Sequence, residues 1–157
     1  MPSGGPWVQF ACFCEKVILD KEDVFTLVRV VDQIILDIAG PAPPDHMPPL
    51  DVPPIKLALC LKSGDARGRV TLRIDLSSPN GEVKRGQELS LNLEGEHRGQ
   101  AVVTDIRLRL QYEGVYWFDV WCDEQLLTRI PLRVVYRRVS TGPVRLMPGT
   151  GPTGSPN

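Results

Sequence analysis

A chain of 157 residues, 42% hydrophobic and 24% charged with a formal net charge of −1, has the size and balance of one globular domain. Near-neutral charge offers no electrostatic footprint for nucleic acid or anionic lipid, so neither is expected as a partner. No apolar run approaches the length of a spanning helix, and Met1–Trp7 lacks the basic start of a secretory signal; a cytoplasmic location without membrane attachment is expected.

Taken in chain order, the apolar segments repeat with period two rather than 3.6, the signature of strands with one buried face. The spacing predicts strands at about 7–19, 24–36, 55–62, 69–76, 88–93, 101–111, 115–122 and 126–136. The first carries Cys12 and Cys14 and runs into a hairpin tip at Lys21-Glu22-Asp23. The second is solidly apolar, which leaves a helix open by periodicity alone, but its β-branched content (Val24, Thr26, Val28, Val30, Val31, Ile34, Ile35) favours strand. Ala39–Pro54 follows, with seven prolines around His46 and Met47. Proline holds itself and its predecessor extended, so this segment reads as a surface crossover between two sheets.

Further along, Val70, Leu72, Ile74 and Leu76 alternate with Arg69, Thr71, Arg73 and Asp75, and Ser77–Gly81 spells a Ser-Ser-Pro-Asn-Gly turn. Ile106, Leu108 and Leu110 alternate with Arg107 and Arg109; Ile130, Leu132, Val134 and Tyr136 alternate with Arg129, Pro131 and Arg133. Asp123-Glu124-Gln125 marks another hairpin tip. Short strands between turn signals point to an all-β, immunoglobulin-like antiparallel β-sandwich of about seven to eight strands over residues 1–139. The Gly/Pro-rich tail 140–157 cannot form a core and is expected to be disordered, with Arg145-Leu146-Met147 its one part able to dock.

Tyr112-Glu113-Gly114-Val115-Tyr116-Trp117-Phe118 resembles strand F of immunoglobulin domains. The resemblance makes Tyr116 a corner tyrosine bonded back to backbone, and puts Phe118 where the core cysteine of those domains stands. The inter-sheet disulfide is thereby removed, as a reducing compartment requires. Residues 8–136 also resemble a bacterial family of small proteins of unknown function (DUF6941). The resemblance rests on Phe10-Ala11-Cys12-Phe13-Cys14-Glu15-Lys16-Val17, on Phe25–Ile34, and on Gly114–Val120 with Ile130-Pro131-Leu132-Arg133-Val134. It implies an immunoglobulin-like sandwich and brings no activity or catalytic residue with it.

The chemistry-bearing residues are sparse. Cys12, Cys14, Cys60 and Cys122 sit in strand-like runs, not in the tight C-x2-C turns that converge two sulfurs on zinc, and read as buried thiols. His46 and His97 fall in loops with no nucleophile placed beside them, and no glycine-rich phosphate loop occurs. No catalytic residue, metal or cofactor is expected.

The informative feature lies on the polar side of the last two strands. If Tyr116, Phe118, Val120 and Cys122 face the core, Trp117, Asp119 and Trp121 face outward, opposite Arg129, Pro131 and Arg133. Arg107 and Arg109 join them if their strand lies nearby. Such a face is either a self-satisfied ladder of Arg–Asp pairs and guanidinium-on-indole stacks, or a recognition surface, since Trp and Arg are enriched at binding hot spots. Pro131 adds a hint that the last strand is an edge. The expected function is therefore a non-enzymatic binding module for another protein. A carbohydrate- or small-ligand-binding sandwich is the alternative, and an enzyme or metal-dependent domain is a third reading.

Overall fold

In a computed structural model, residues 4–22, 24–40 and 46–139 are described. They form β1 (Trp7–Leu19), β2 (Phe25–Val31), β3 (Gln33–Ala39), β4 (His46–Asp51), β5 (Ile55–Lys62) and β6 (Arg67–Ser77). Then come β7 (Val83–Lys84), β8 (Glu88–Glu94), β9 (Gly99–Ile106), β10 (Arg109–Tyr112), β11 (Gly114–Cys122) and β12 (Gln125–Val139). One sheet has the order β2-β1-β5-β9; the other runs β3-β12-β11-β6-β7, with β8 also pairing β6; β4 and β10 form a separate two-stranded ribbon. The expected tail, 140–157, lies outside the described residues.

The two larger sheets bury their apolar faces against each other, the all-β sandwich that alternation predicted. Leu57, Leu59 and Leu61 of β5 are buried against a layer that includes Leu72, Phe118, Val120, Leu132 and Val134. Phe13 meets Phe118 edge-on, with ring centroids 4.8 Å apart at 63°, an arrangement favoured by the ring quadrupoles. Of the expected strands, two are subdivided where the chain changes sheet. The predicted strand at 24–36 breaks at Asp32: β2 pairs β1 in one sheet, while β3 pairs β12 in the other. That β3–β12 ladder is parallel, whereas the other paired strands run antiparallel. The predicted strand at 101–111 breaks at Arg107–Leu108, where β9 leaves β5 and β10 joins β4.

The proline segment does link the two sheets, since β3 and β5 lie in different ones. It also holds β4, which pairing arguments did not reveal; residues 41–45 lie outside the described set. Proline disfavours a ladder by lacking an N–H, but β4 has one partner strand, and extended geometry is what proline already imposes. Pro131 likewise stands on a strand flanked by β11 and β3, not on a sheet edge. The hint was half right: β3 pairs β12 only from Arg133 onward, so on that side Pro131 meets no strand among the described residues.

The expected corner is present. The Tyr116 hydroxyl, on a side chain 2% exposed, donates to the Tyr112 carbonyl at 3.0 Å and accepts from the Tyr112 N–H at 3.2 Å. It ties β10 to β11 across the tight passage at Glu113-Gly114, the arrangement characteristic of immunoglobulin-type sandwiches.

Candidate functional site

β11 is the strand on which the face is built. Tyr116, Phe118, Val120 and Cys122 are buried, so Val115, Trp117, Asp119 and Trp121 point the other way. β12 sets Arg133 opposite Val115, Pro131 opposite Trp117 and Arg129 opposite Asp119. The hairpin that fixes this register closes through Asp123, whose backbone is left-handed (φ 51°). Asp123 is pinned to β6 by its N–H on the Thr71 carbonyl (2.7 Å) and by the Thr71 N–H on its carboxylate (2.8 Å).

Trp117, Asp119 and Arg129 form one unit. The Arg129 guanidinium lies 5.1 Å from the Trp117 ring centroid, and its Nε donates to Asp119 Oδ1 at 2.7 Å. The Asp119 side chain is only 16% exposed, whereas Trp117 is 37% exposed. Arg133 is exposed and makes no ion pair among the described residues.

A second unit, which the sequence reading did not identify, lies on the other side of β11. β6 sets Asp75 opposite Asp119 and Arg73 opposite Trp121. Arg73 Nε donates to both Asp75 oxygens, at 3.0 and 3.2 Å, and its guanidinium lies 5.6 Å from the Trp121 ring centroid. Asp75 is 8% exposed and also accepts the Gly86 N–H at 3.0 Å. Two carboxylates facing each other across a ladder repel, and each is offset here by its own arginine. Trp121 is half-buried beneath Arg73, with its indole N–H buried and without a hydrogen-bond partner among the described residues. The alternation at 69–76 had already put Arg73 and Asp75 on a polar face. That β6 neighbours β11 depends on sheet order, which no local pattern encodes.

Arg107 and Arg109 do not join this face. Arg107 follows β9, the edge of the opposite sheet, and Arg109 stands on β10 opposite Asp51, with which it forms a loose pair at 3.9 Å. Of the two, only Arg109 lies on a strand, and that strand pairs with the proline segment instead of β11 or β12; Arg107 stands in the break between β9 and β10.

The other candidates stay apart. Cys12, Cys14, Cys60 and Cys122 are free thiols, and among the described residues no group of three or more His, Cys, Asp or Glu side chains converges on a metal position. Burial pushes the Cys14 and Cys122 thiols above their ordinary range; Cys12 is raised by burial and then by Cys14. His97 is exposed and stacks nearly parallel to Trp7, with centroids 6.2 Å apart. His46 enters β4 through its backbone, opposite Tyr112. Among the described residues no helix is long and apolar enough to cross a membrane.

Fold and face together define a β-sandwich domain with a tyrosine corner and one polar-aromatic sheet face. Within that class, the chain belongs to the family of unknown function DUF6941, whose model matches residues 9–135. No curated protein matches it. Among solved structures it is similar to part of the β-glucosidase of Listeria innocua in complex with gluconolactone, at 9% identity and a TM-score of 0.47, over 80% of this chain and 16% of that one. It is also similar to part of the alkylpurine DNA glycosylase AlkC of Pseudomonas fluorescens, at 10% identity and a TM-score of 0.42, over 80% and 30%. A third is the β-glucosidase of Kluyveromyces marxianus in complex with glucose, at 18% identity and a TM-score of 0.43, over 57% and 13%. The chain thus spans less than a third of each of these longer proteins.

Proposed function

We propose that the domain is a non-enzymatic protein-interaction module, an adaptor, scaffold or assembly subunit of a bacterial multi-protein system in the cytoplasm. It engages another protein through the β11–β12 face. The observation that carries this reading is Trp117: a tryptophan 37% exposed, held by Arg129 instead of covered. Next to it Val115 is also exposed, at 37%, with Pro131 and Arg133 opposite the two, and Leu126, 40% exposed, lies further along opposite Trp121. Trp and Arg dominate interface hot spots, and side chains already fixed by stacking and an ion pair lose little freedom on binding.

The Arg73–Trp121 unit flanks the face on the β6 side, with Asp75 buried, and is a poor place to cut. A pull-down from the native host with Trp117→Ala/Arg133→Glu tests the reading, with folding confirmed by thermal melting. Capture of a partner by the wild type and its loss in the folded variant supports this face. Equal capture by both moves the interaction elsewhere on the domain.

A further inference from the structure

The sandwich is closed along one side and open along the other. On the closed side the chain passes through Asp32 from β2, the edge of one sheet, to β3, the edge of the other. On the open side, β9 edges one sheet and β8 with β7 edges the other, joined only through the turn at 95–98. Three cavities follow this seam away from that turn. The first, of about 80 Å³, lies by Leu93 and Gly99; the second, of about 160 Å³, by Leu89 and Val102; the third, of about 260 Å³, by Gln87 and Ile106. The second and third share Ile74, Gln87 and Thr104, so they form one cleft.

Three independent features mark the cleft as a place for an added strand. Its floor is apolar, with Ile74, Leu76, Leu108 and Phe118 in the widest part. A large apolar side chain, Leu89, stays exposed on its β8 rim, and Val102 of β9 lines the opposite side. Among the described residues β9 pairs only with β5, so the backbone groups on its other side are free. An unpaired edge of eight residues, about 25 Å long, is a template for another extended segment.

Charge selects the occupant. Lys84, Arg85 and Arg107 line the wide end. Arg85 is paired with Glu88, and Asp105, which also lines this end, with Lys56; Lys84 and Arg107 form no close ion pair among the described residues, although Arg107 lies near enough to Asp105 to help hold its carboxyl low. We infer that this seam binds an extended segment of a partner protein, adding to β9, with alternate apolar side chains in the cleft and acidic residues at Lys84 and Arg107. This is β-augmentation, in which main-chain hydrogen bonds supply affinity and the pockets and charges supply selectivity. The surface is separate from the Trp117 face, and one measurement distinguishes the two.

The test uses the full 157-residue chain, isotopically labelled for NMR. The probe is a capped octapeptide, Thr-Val-Thr-Val-Thr-Val-Glu-Glu, and the control is its counterpart ending in Lys-Lys. The acidic peptide is expected to shift the amides of residues 100–106 and to bind about tenfold more tightly than the basic one. Lys84→Glu/Arg107→Glu, both surface changes, is expected to invert that preference. Methylation of alternate peptide nitrogens, which removes ladder hydrogen bonds, is expected to abolish binding. No shift at 100–106 with millimolar peptide overturns the inference, as does equal affinity for the two peptides. Shifts confined to Val115, Trp117 and Arg129 overturn the seam while supporting the other face. A peptide-free dimer lost in the charge-reversed variant assigns the seam to a second copy and also overturns it.

Discussion

Tyr116 does two jobs with one side chain. Its ring is part of the buried core, and its hydroxyl closes both the donor and the acceptor of Tyr112. Tyr116→Phe keeps the ring and leaves the Tyr112 N–H and carbonyl without that partner, so a loss of about 1–2 kcal/mol is expected in denaturant melts with an unchanged slope. Asp75 answers to different physics. Its side chain and that of Arg73 are only 12% and 14% exposed, so Asp75→Ala strands a guanidinium and the Gly86 N–H; about 2–4 kcal/mol is expected. Removing both charges in Arg73→Met/Asp75→Leu is expected to cost less than that single change, because neither variant residue leaves a buried charge behind. Arg129 and Asp119 form the more exposed pair, and their mutual contribution is about 0.5–1 kcal/mol.

At the scale of elements, inward and outward faces were legible and neighbours were not. Alternation placed Tyr116, Phe118 and Val120 inside and Trp117 and Asp119 outside, because side-chain direction is a local property of a strand. The partners of a strand depend on sheet order, which is why Arg73 and Asp75 were absent from the expected face and Arg107 and Arg109 were wrongly admitted to it. Sheet changes left faint marks too. Asp32 and Arg107–Leu108 interrupt strands without any glycine or proline to announce them. The short β7 depends on a contact as tight as any in the fold: Gly86, just after it, lies so near β6 that a Cβ would meet the Ile74 carbonyl oxygen at 1.8 Å. Gly86→Ala must displace this segment from Asp75 and is expected to destabilise by on the order of 2 kcal/mol or more in thermal melts. Gly99→Ala, where the added carbon finds its nearest neighbour at 3.5 Å, is expected to stay within about 1 kcal/mol of wild type.

For the whole molecule, pH acts mainly from the alkaline side. Burial raises the thiols of Cys12, Cys14 and Cys122 above their ordinary 9.0. It also pushes Tyr136 from 10.0 up to about 12, with Tyr116 and Glu113 adding to the shift. The folded chain therefore holds these protons longer than the unfolded chain, so stability is full below pH 9 and falls as pH rises beyond it. Melting temperature is expected to be flat from pH 7 to 9 and to decline from there to 12. Tyr136→Phe is expected to flatten the part above pH 10; an unchanged slope there would remove Tyr136 from this account. In acid the sign reverses. Asp37, held low by Arg137, and Asp105, held low by Lys56, contribute above about pH 3.8 and lose that contribution as pH falls further. Both carboxylates lie at the surface, so the acid effect is the smaller and the more salt-sensitive of the two.

The parallel ladder between β3 and β12 sets how this domain bears a pull. Its rungs run from Gln33–Arg133 to Ala39–Val139, and a bidentate Asp37–Arg137 pair, at 2.6 and 2.9 Å, spans it. Tension on Val139 draws β12 forward along its own axis. The opposing tension, carried through β2 and Asp32, reaches β3 at its first residue and draws it backward. The two strands are then loaded in shear, all rungs sharing the force at once, whereas tension across the tip of a hairpin peels one rung at a time. Opposed tension applied at Asp32 and Val139 thus meets this ladder as a whole instead of one rung at a time.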